Sequence, residues 1–138
     1  MEETNVSYYY EFEDRHRILL AVAYGSVGEN ELRELYFDMR ARKDEEHALT
    51  GILDLTGVTT FDVDAQIISG LASHPPNFDD PTLRAVVAPT DLLFGMSRMF
   101  QLLGSETREE LHVVRTLDEA LRLLNAKEAR FHRLEAAA

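Results

Sequence analysis

The chain has 138 residues, 45% of them hydrophobic and 28% charged, which predicts one soluble globular domain and excludes wholesale disorder. A formal net charge of −11 repels phosphate backbones and anionic lipid, so neither nucleic acid nor a membrane is expected as a partner. There is no cysteine, which removes disulfides, thiolate chemistry and cysteine metal sites. Residues 1–7 lack the basic and apolar segments of a signal peptide. No apolar run approaches the ~18 residues of a membrane span, so a cytoplasmic protein is expected.

Tyr8, Tyr9, Tyr10 and Phe12 predict an aromatic strand. After the polar Glu13-Asp14-Arg15-His16 comes the apolar run from Ile18 to Tyr24, so the two strands should pair as an antiparallel hairpin. Gly25 and Gly28 are expected to end the second strand. From Glu29 to about Lys43, Leu32, Leu35, Tyr36 and Met39 recur at helical spacing. Gly51 to Leu55 then predicts a buried strand, followed by a short polar loop holding Thr59 and Thr60. A helix is predicted from Asp62 to about Ser73, with Ile67, Ile68 and Leu71 inward. The loop from His74 to Pro81 ends it, because proline supplies no backbone donor.

Leu83 to Ala88 is a short continuous apolar strand. Thr90 caps the next helix, whose Leu92, Leu93, Met96, Met99, Phe100 and Leu103 are expected to form one inward stripe ended by Gly104. Leu111 to Val114 is the last predicted strand, and Thr116 with Glu119 makes a capping box for a closing helix. Residues 126–138 are expected to form a helical extension of it or a tail, fraying toward Ala136, Ala137 and Ala138. Single helical crossovers imply parallel pairing. The expected fold is therefore α/β, a single domain with a mixed five-stranded sheet: an antiparallel N-terminal hairpin, then parallel βαβαβ, with about four helices.

The order of these elements, with Asp54-Leu55-Thr56-Gly57-Val58 and Asp62-Val63-Asp64, resembles the STAS domain over residues 8–124. That is the fold of anti-sigma-factor antagonists of the SpoIIAA type. Val87-Ala88-Pro89-Thr90-Asp91-Leu92-Leu93-Phe94-Gly95-Met96-Ser97-Arg98-Met99-Phe100 is similar to a segment of small bacterial STAS-like proteins. In the antagonists, a kinase-type anti-sigma factor phosphorylates a serine at the start of the second helix and abolishes binding. The resemblance puts Asp64 at that serine, with Val63 just before it. It implies a non-enzymatic interaction module with a protein partner such as a kinase-type anti-sigma factor, a homodimer as a further option, and no cofactor. The serine switch is then missing, or moved to Thr59 or Thr60. The fixed charge at Asp64 would act as a weak phosphate mimic.

The residues also carry plainer readings. Asp62 and Asp64 suit a helix N-terminus, where a carboxylate satisfies free N–H groups for about 1 kcal/mol. Asp62-x-Asp64 looks superficially like the aspartate pair of haloacid-dehalogenase-type phosphatases, but Thr59 and Thr60 are expected to interrupt the strand that such a pair terminates. Asp54, Asp62, Asp64 and Asp91 could gather where open α/β sheets bind ligands, at the C-terminal ends of the strands. The five histidines are scattered, and no serine sits in a nucleophile elbow. Gly95 and Ser97 are small residues inside a helix, permitting close approach of another chain or a ligand. Phe94, off the apolar stripe, and Arg98 are the expected contact surface of that helix. The alternative to an interaction module is a domain binding a small metabolite or lipid-like ligand in the sheet-edge crevice.

Overall fold

The computed structural model describes residues 7–78, 82–104 and 108–135. The predicted fraying of Ala136, Ala137 and Ala138, and Pro81 of the predicted loop, lie outside them.

β1 (Tyr8–Glu13) and β2 (Ile18–Gly28) form the expected antiparallel hairpin, in register from Tyr8 opposite Ala23 to Glu13 opposite Ile18. The connecting turn closes on Glu13, whose carboxylate accepts from the His16 N–H at 2.6 Å. Burial alone would raise the Glu13 pKa, but the hydrogen bonds from His16 outweigh it and the pKa is lowered. Gly25 does not end β2. It takes a left-handed φ of 73°, accommodates an irregularity in register and lets the strand run on to Gly28.

α1 (Glu29–Glu46) starts with a capping interaction in which the Gly28 N–H donates to Glu31 Oε1 at 2.9 Å. Its Leu35 and Met39 are buried against the sheet, as the helical spacing predicts. The helix stops at His47, in the left-handed region with φ 56°.

β3 (Thr50–Asp62) pairs parallel with β2 along its length, from Thr50 opposite Ile18 to Asp62 opposite Gly28. The polar loop expected at Thr59 and Thr60 is therefore strand. The reason is cooperative: because Gly25 lets β2 continue, β3 keeps a hydrogen-bonding partner for residues that have no apolar reason to be extended. α2 (Ala65–Ala72) consequently begins three residues later than the predicted Asp62.

β4 (Arg84–Val87) and β5 (Leu111–Val114) add on in parallel, separated by α3 (Asp91–Leu103). Thr90 caps α3, its hydroxyl accepting from Leu93 N–H at 3.3 Å, and Gly104 ends it. α4 (Leu117–Leu123) has the predicted capping box, with Thr116 N–H donating to Glu119 Oε1 at 3.0 Å and Glu119 N–H to Thr116 Oγ1 at 3.1 Å.

The closing segment is not a helix. Asn125, at φ 57°, turns the chain out of α4, and Ala126 is buried beneath it. The backbone then crosses to the free edge of β1, where β6 (His132–Arg133) pairs antiparallel with Phe12 and Glu11. Leu134 N–H completes the contact by donating to Tyr10 O at 2.9 Å. An unpaired edge beside a weakly amphipathic tail favours the sheet over the helix. The fold is α/β, with a mixed six-stranded sheet in the order β5-β4-β3-β2-β1-β6 and four helices. Six strands replace the expected five.

Alternation along the central strands builds two cores. Leu19, Ala21 and Ala23 face Leu35, Met39 and Leu93 on one side. Ile18, Leu20, Ile52 and Val87 face Ala120 and Ala126 on the other. Among the described residues no helix is long and apolar enough to cross a membrane.

Candidate functional site

The switch-equivalent segment is spread along a strand end. Thr59, Thr60 and Asp62 are exposed, while Val63 is buried. Asp64 caps α2, its Oδ1 accepting from Ile67 N–H at 3.1 Å, so its side chain has a structural task. β3 does run up to Asp62, contrary to the expected interruption, yet no phosphatase-like pair results because the Asp64 carboxylate is directed to its own helix. The other acidic candidates are equally occupied. Asp54 is buried and accepts from Thr56 N–H at 2.9 Å and from the Thr56 hydroxyl. Asp91 pairs with Arg115 at 3.1 Å. Among the described residues no group of three or more His, Asp or Glu side chains is placed to hold a metal ion.

Phe94 is not an open contact residue. It is half-buried against the first core, and the Arg115 guanidinium covers its ring at 4.2 Å. Arg98 is exposed and donates to Gln101 Oε1. The apolar stripe predicted for α3 also faces differently. Leu93 is buried, while Leu92 and Leu103 stand 55% and 54% exposed, with Leu102 at 59%. Apolar residues cover more than one side of α3, so their spacing alone did not fix which of them face the sheet.

What α3 does turn inward is a void. Between the sheet and α1, α2 and α3 lies a cavity of about 130 Å³. Leu53, Leu55 and Val86 form its floor, Leu35 and Met39 of α1 and Ile68 and Leu71 of α2 its walls, and Met96, Ser97 and Phe100 of α3 its roof. Its position follows from residue size. Ser97 occupies an inward position of α3 that a large side chain would fill. Gly51 on β3 has the Phe78 ring packed on its backbone, where an added Cβ would come within 2.6 Å of the ring. The small Ser97 is one of the two helix residues that the sequence marked as allowing close approach. The other, Gly95, opens to solvent.

Two buried arginines line the cavity, and the sequence pattern gave neither a role. Arg84, 5% exposed, begins β4 and donates to Thr82 O at 2.7 Å. Arg108 is 1% exposed. Its Nη1 donates to Ala72 O at 2.9 Å, and Nη2 donates to His74 O at 2.9 Å and to the Tyr36 hydroxyl at 3.0 Å. Its guanidinium also lies 4.3 Å from the Phe100 ring centroid. The carbonyls of Ala72 and His74 belong to the C-terminal end of α2, the negative pole of its dipole, which suits a cation. Gly104 makes room for this arrangement, since a Cβ there would lie 2.0 Å from Arg108 Nη1. Tyr36 in turn donates to Pro75 O at 2.7 Å, and Asn77 Nδ2 donates to Tyr36 O at 3.1 Å, so the Pro-Pro loop is pinned at the cavity's side. A charged residue a few positions after a helix-ending glycine reads as solvated surface. Only the close approach at Gly104 distinguishes it.

No protein-family model matches this chain, and no curated protein sequence matches it.

Proposed function

We propose that this protein is a non-enzymatic binding domain on a STAS-like scaffold, holding a small, largely apolar ligand between the sheet and α1–α3. The observation that carries this reading is the apolar cavity of about 130 Å³. The cavity is partly open to solvent, so the enclosed-cavity coefficient of about 24 cal/mol per Å³ sets an upper bound of roughly 3 kcal/mol on what filling it gains. That bound is a large share of a typical domain stability of about 5–15 kcal/mol, and a ligand recovers what the void costs. Apolar cavities near 150 Å³ take up benzene, which makes benzene a suitable neutral probe. A ligand at about 100 times its Kd stabilises a protein by about 2.7 kcal/mol, so benzene should raise the melting temperature by several degrees. Perturbed NMR resonances should include the methyls of Leu71 and Met96. An unchanged melting temperature with unperturbed methyls at saturating benzene removes this reading.

A second reading, an interaction module with a protein partner, is supported by the exposed face of α3. Leu92, Leu102 and Leu103 are each more than half exposed there, in a chain of net charge −11. Asp91 and Arg98 lie two turns apart on this face with Gly95 between them. In an antiparallel pairing of two copies each Arg98 approaches the other copy's Asp91, whose carboxylate stays exposed although it already pairs with Arg115; this self-complementarity favours a homodimer over a kinase-type anti-sigma factor as the occupant. Thr59, Thr60 and Asp62 remain exposed, as a switch surface requires. Sedimentation velocity tests this: a dimer that Leu102→Glu converts to monomer supports the reading, and a wild-type monomer at ~100 μM removes it.

A further inference from the structure

The geometry points to an apolar monocarboxylate as the cavity's ligand, its charged end paired with Arg108; this rests on the ligand-binding reading above. Arg108 is a cation with 1% exposure beside an apolar void. Burying a charge costs several kcal/mol unless an opposite charge accompanies it. The three acceptors that Arg108 has are all neutral: two main-chain carbonyls and a phenol hydroxyl. Among the described residues no carboxylate is paired with it. The end of the α2 dipole supplies roughly half a negative charge at most. The interior at this point therefore carries surplus positive charge, inside a protein whose surface is strongly negative.

A bound anion would complete that balance, and the site limits what kind. Three of the guanidinium's five N–H donors are committed to the protein acceptors. Arg108 has few remaining donors, and the other buried cation of the lining, Arg84, donates to Thr82 O at 2.7 Å; that matches a monoanion, whereas a phosphate dianion calls for a cluster of donors. The apolar body must fit about 130 Å³, which is a single six-membered ring or a chain of about five or six carbons. Leu53, Leu71 and Met96 supply the apolar contact for it. Tyr36 holds the guanidinium from one side through its hydroxyl, and Phe100 holds it from another through its ring face. Arg108 is thus pre-oriented, so little is spent on ordering it when the anion arrives.

The test uses the full chain and two pairs of probes matched in size, benzoate with benzyl alcohol and hexanoate with 1-hexanol, at pH 7.5. Binding is measured by calorimetry and thermal shift, with benzene as the neutral reference. Each acid is expected to bind at least tenfold more tightly than its alcohol. In Arg108→Gln that preference should disappear while the alcohol and benzene still bind. If benzene and the alcohols bind and the acids do not exceed them, the monocarboxylate inference is overturned and the cavity reading stands. If no probe binds, the cavity reading falls and the inference with it. Should Arg108→Gln fail to fold, the acid-to-alcohol ratio in the wild type decides alone: tenfold or more supports the inference, and parity overturns it.

Discussion

Filling the cavity from α3 is the most direct way to ask whether the void exists. Ser97 lines it from an inward helical position, and Ser97→Leu places a larger apolar side chain there. The ceiling on any gain is the cost of the whole void, about 3 kcal/mol for 130 Å³ at ~24 cal/mol per Å³. Leucine adds roughly three buried carbon groups over serine, worth about 2.4 kcal/mol at ~0.8 kcal/mol each. Fixing its rotamer takes back about 0.5–1 kcal/mol. Its better helix propensity returns a few tenths of a kcal/mol. The expected outcome is a stabilisation of about 1.5 kcal/mol, seen as a higher urea midpoint at unchanged slope and a melting temperature raised by roughly 5 °C. The same variant should no longer respond to benzene, because the volume is occupied. A loss of stability of 1 kcal/mol or more at unchanged slope is the signature of overpacking a filled core. That result would falsify the cavity and the function built on it.

Other perturbations separate the local devices. Gly104→Ala puts a methyl where Arg108 Nη1 now packs, displacing a buried cation and its bonds to Ala72 and His74, so a loss of roughly 2–4 kcal/mol is expected in urea titrations. A tolerated alanine would mean that Arg108 is not held there. Asp64→Ala removes the α2 cap and should lower stability by about 1 kcal/mol; Asp64→Ser, which retains a capping oxygen, should restore most of it. Failure of serine to rescue would assign Asp64 a role beyond the helix end. At high pH, Tyr8 contributes an alkaline limb: burial and then the nearby Asp38 and Glu34 charges push its pKa up to about 12, from 10.0. Its folded-state pKa is raised, so the neutral phenol is favoured in the folded protein; that stability is complete below pH 10 and is lost as pH rises through about 12. Glu13 acts at the opposite end, its lowered folded pKa giving stability that is present above the ordinary value of 4.5 and is lost as pH falls through the folded one. Tyr8→Phe should lessen the alkaline limb, to which Tyr10, its pKa raised by burial and by its hydrogen bond to Asp38, also contributes, and Glu13→Gln should flatten the acid limb in pH-dependent melts.

Most of the fold was legible because local chemistry and packing agreed. The hairpin, the parallel strands and the caps at Thr90 and Thr116 each have short-range causes: alternation, a β-rich apolar run, or a hydroxyl three residues before an N–H. The misses share another cause, since each depends on a partner distant in sequence. Thr59 and Thr60 are extended because β2 continues past Gly25 beside them. His132 and Arg133 are strand because β1 has a free edge, and Leu92 and Leu103 are exposed because Leu93 and Phe100 take the face toward the sheet.

The candidate site falls on the same side of that division. A cavity is a deficit of volume, and no residue announces it. Ser97 is small for its inward position, and Gly51 is bare because Phe78 lies on it, yet each has an ordinary explanation when read alone. Arg108 is the sharper case. Its burial requires Gly104 to lack a side chain, α2 to end with Ala72 and His74 carbonyls facing it, and Tyr36 to arrive from a helix 72 positions earlier. A guanidinium held by that many independent segments is expensive to assemble if it serves only to tie one helix end. Lysine at the surface or a second glycine cap closes a helix more simply. The arrangement is better accounted for by a charge that must be available at the edge of an apolar space, and the acid-to-alcohol comparison measures that availability directly.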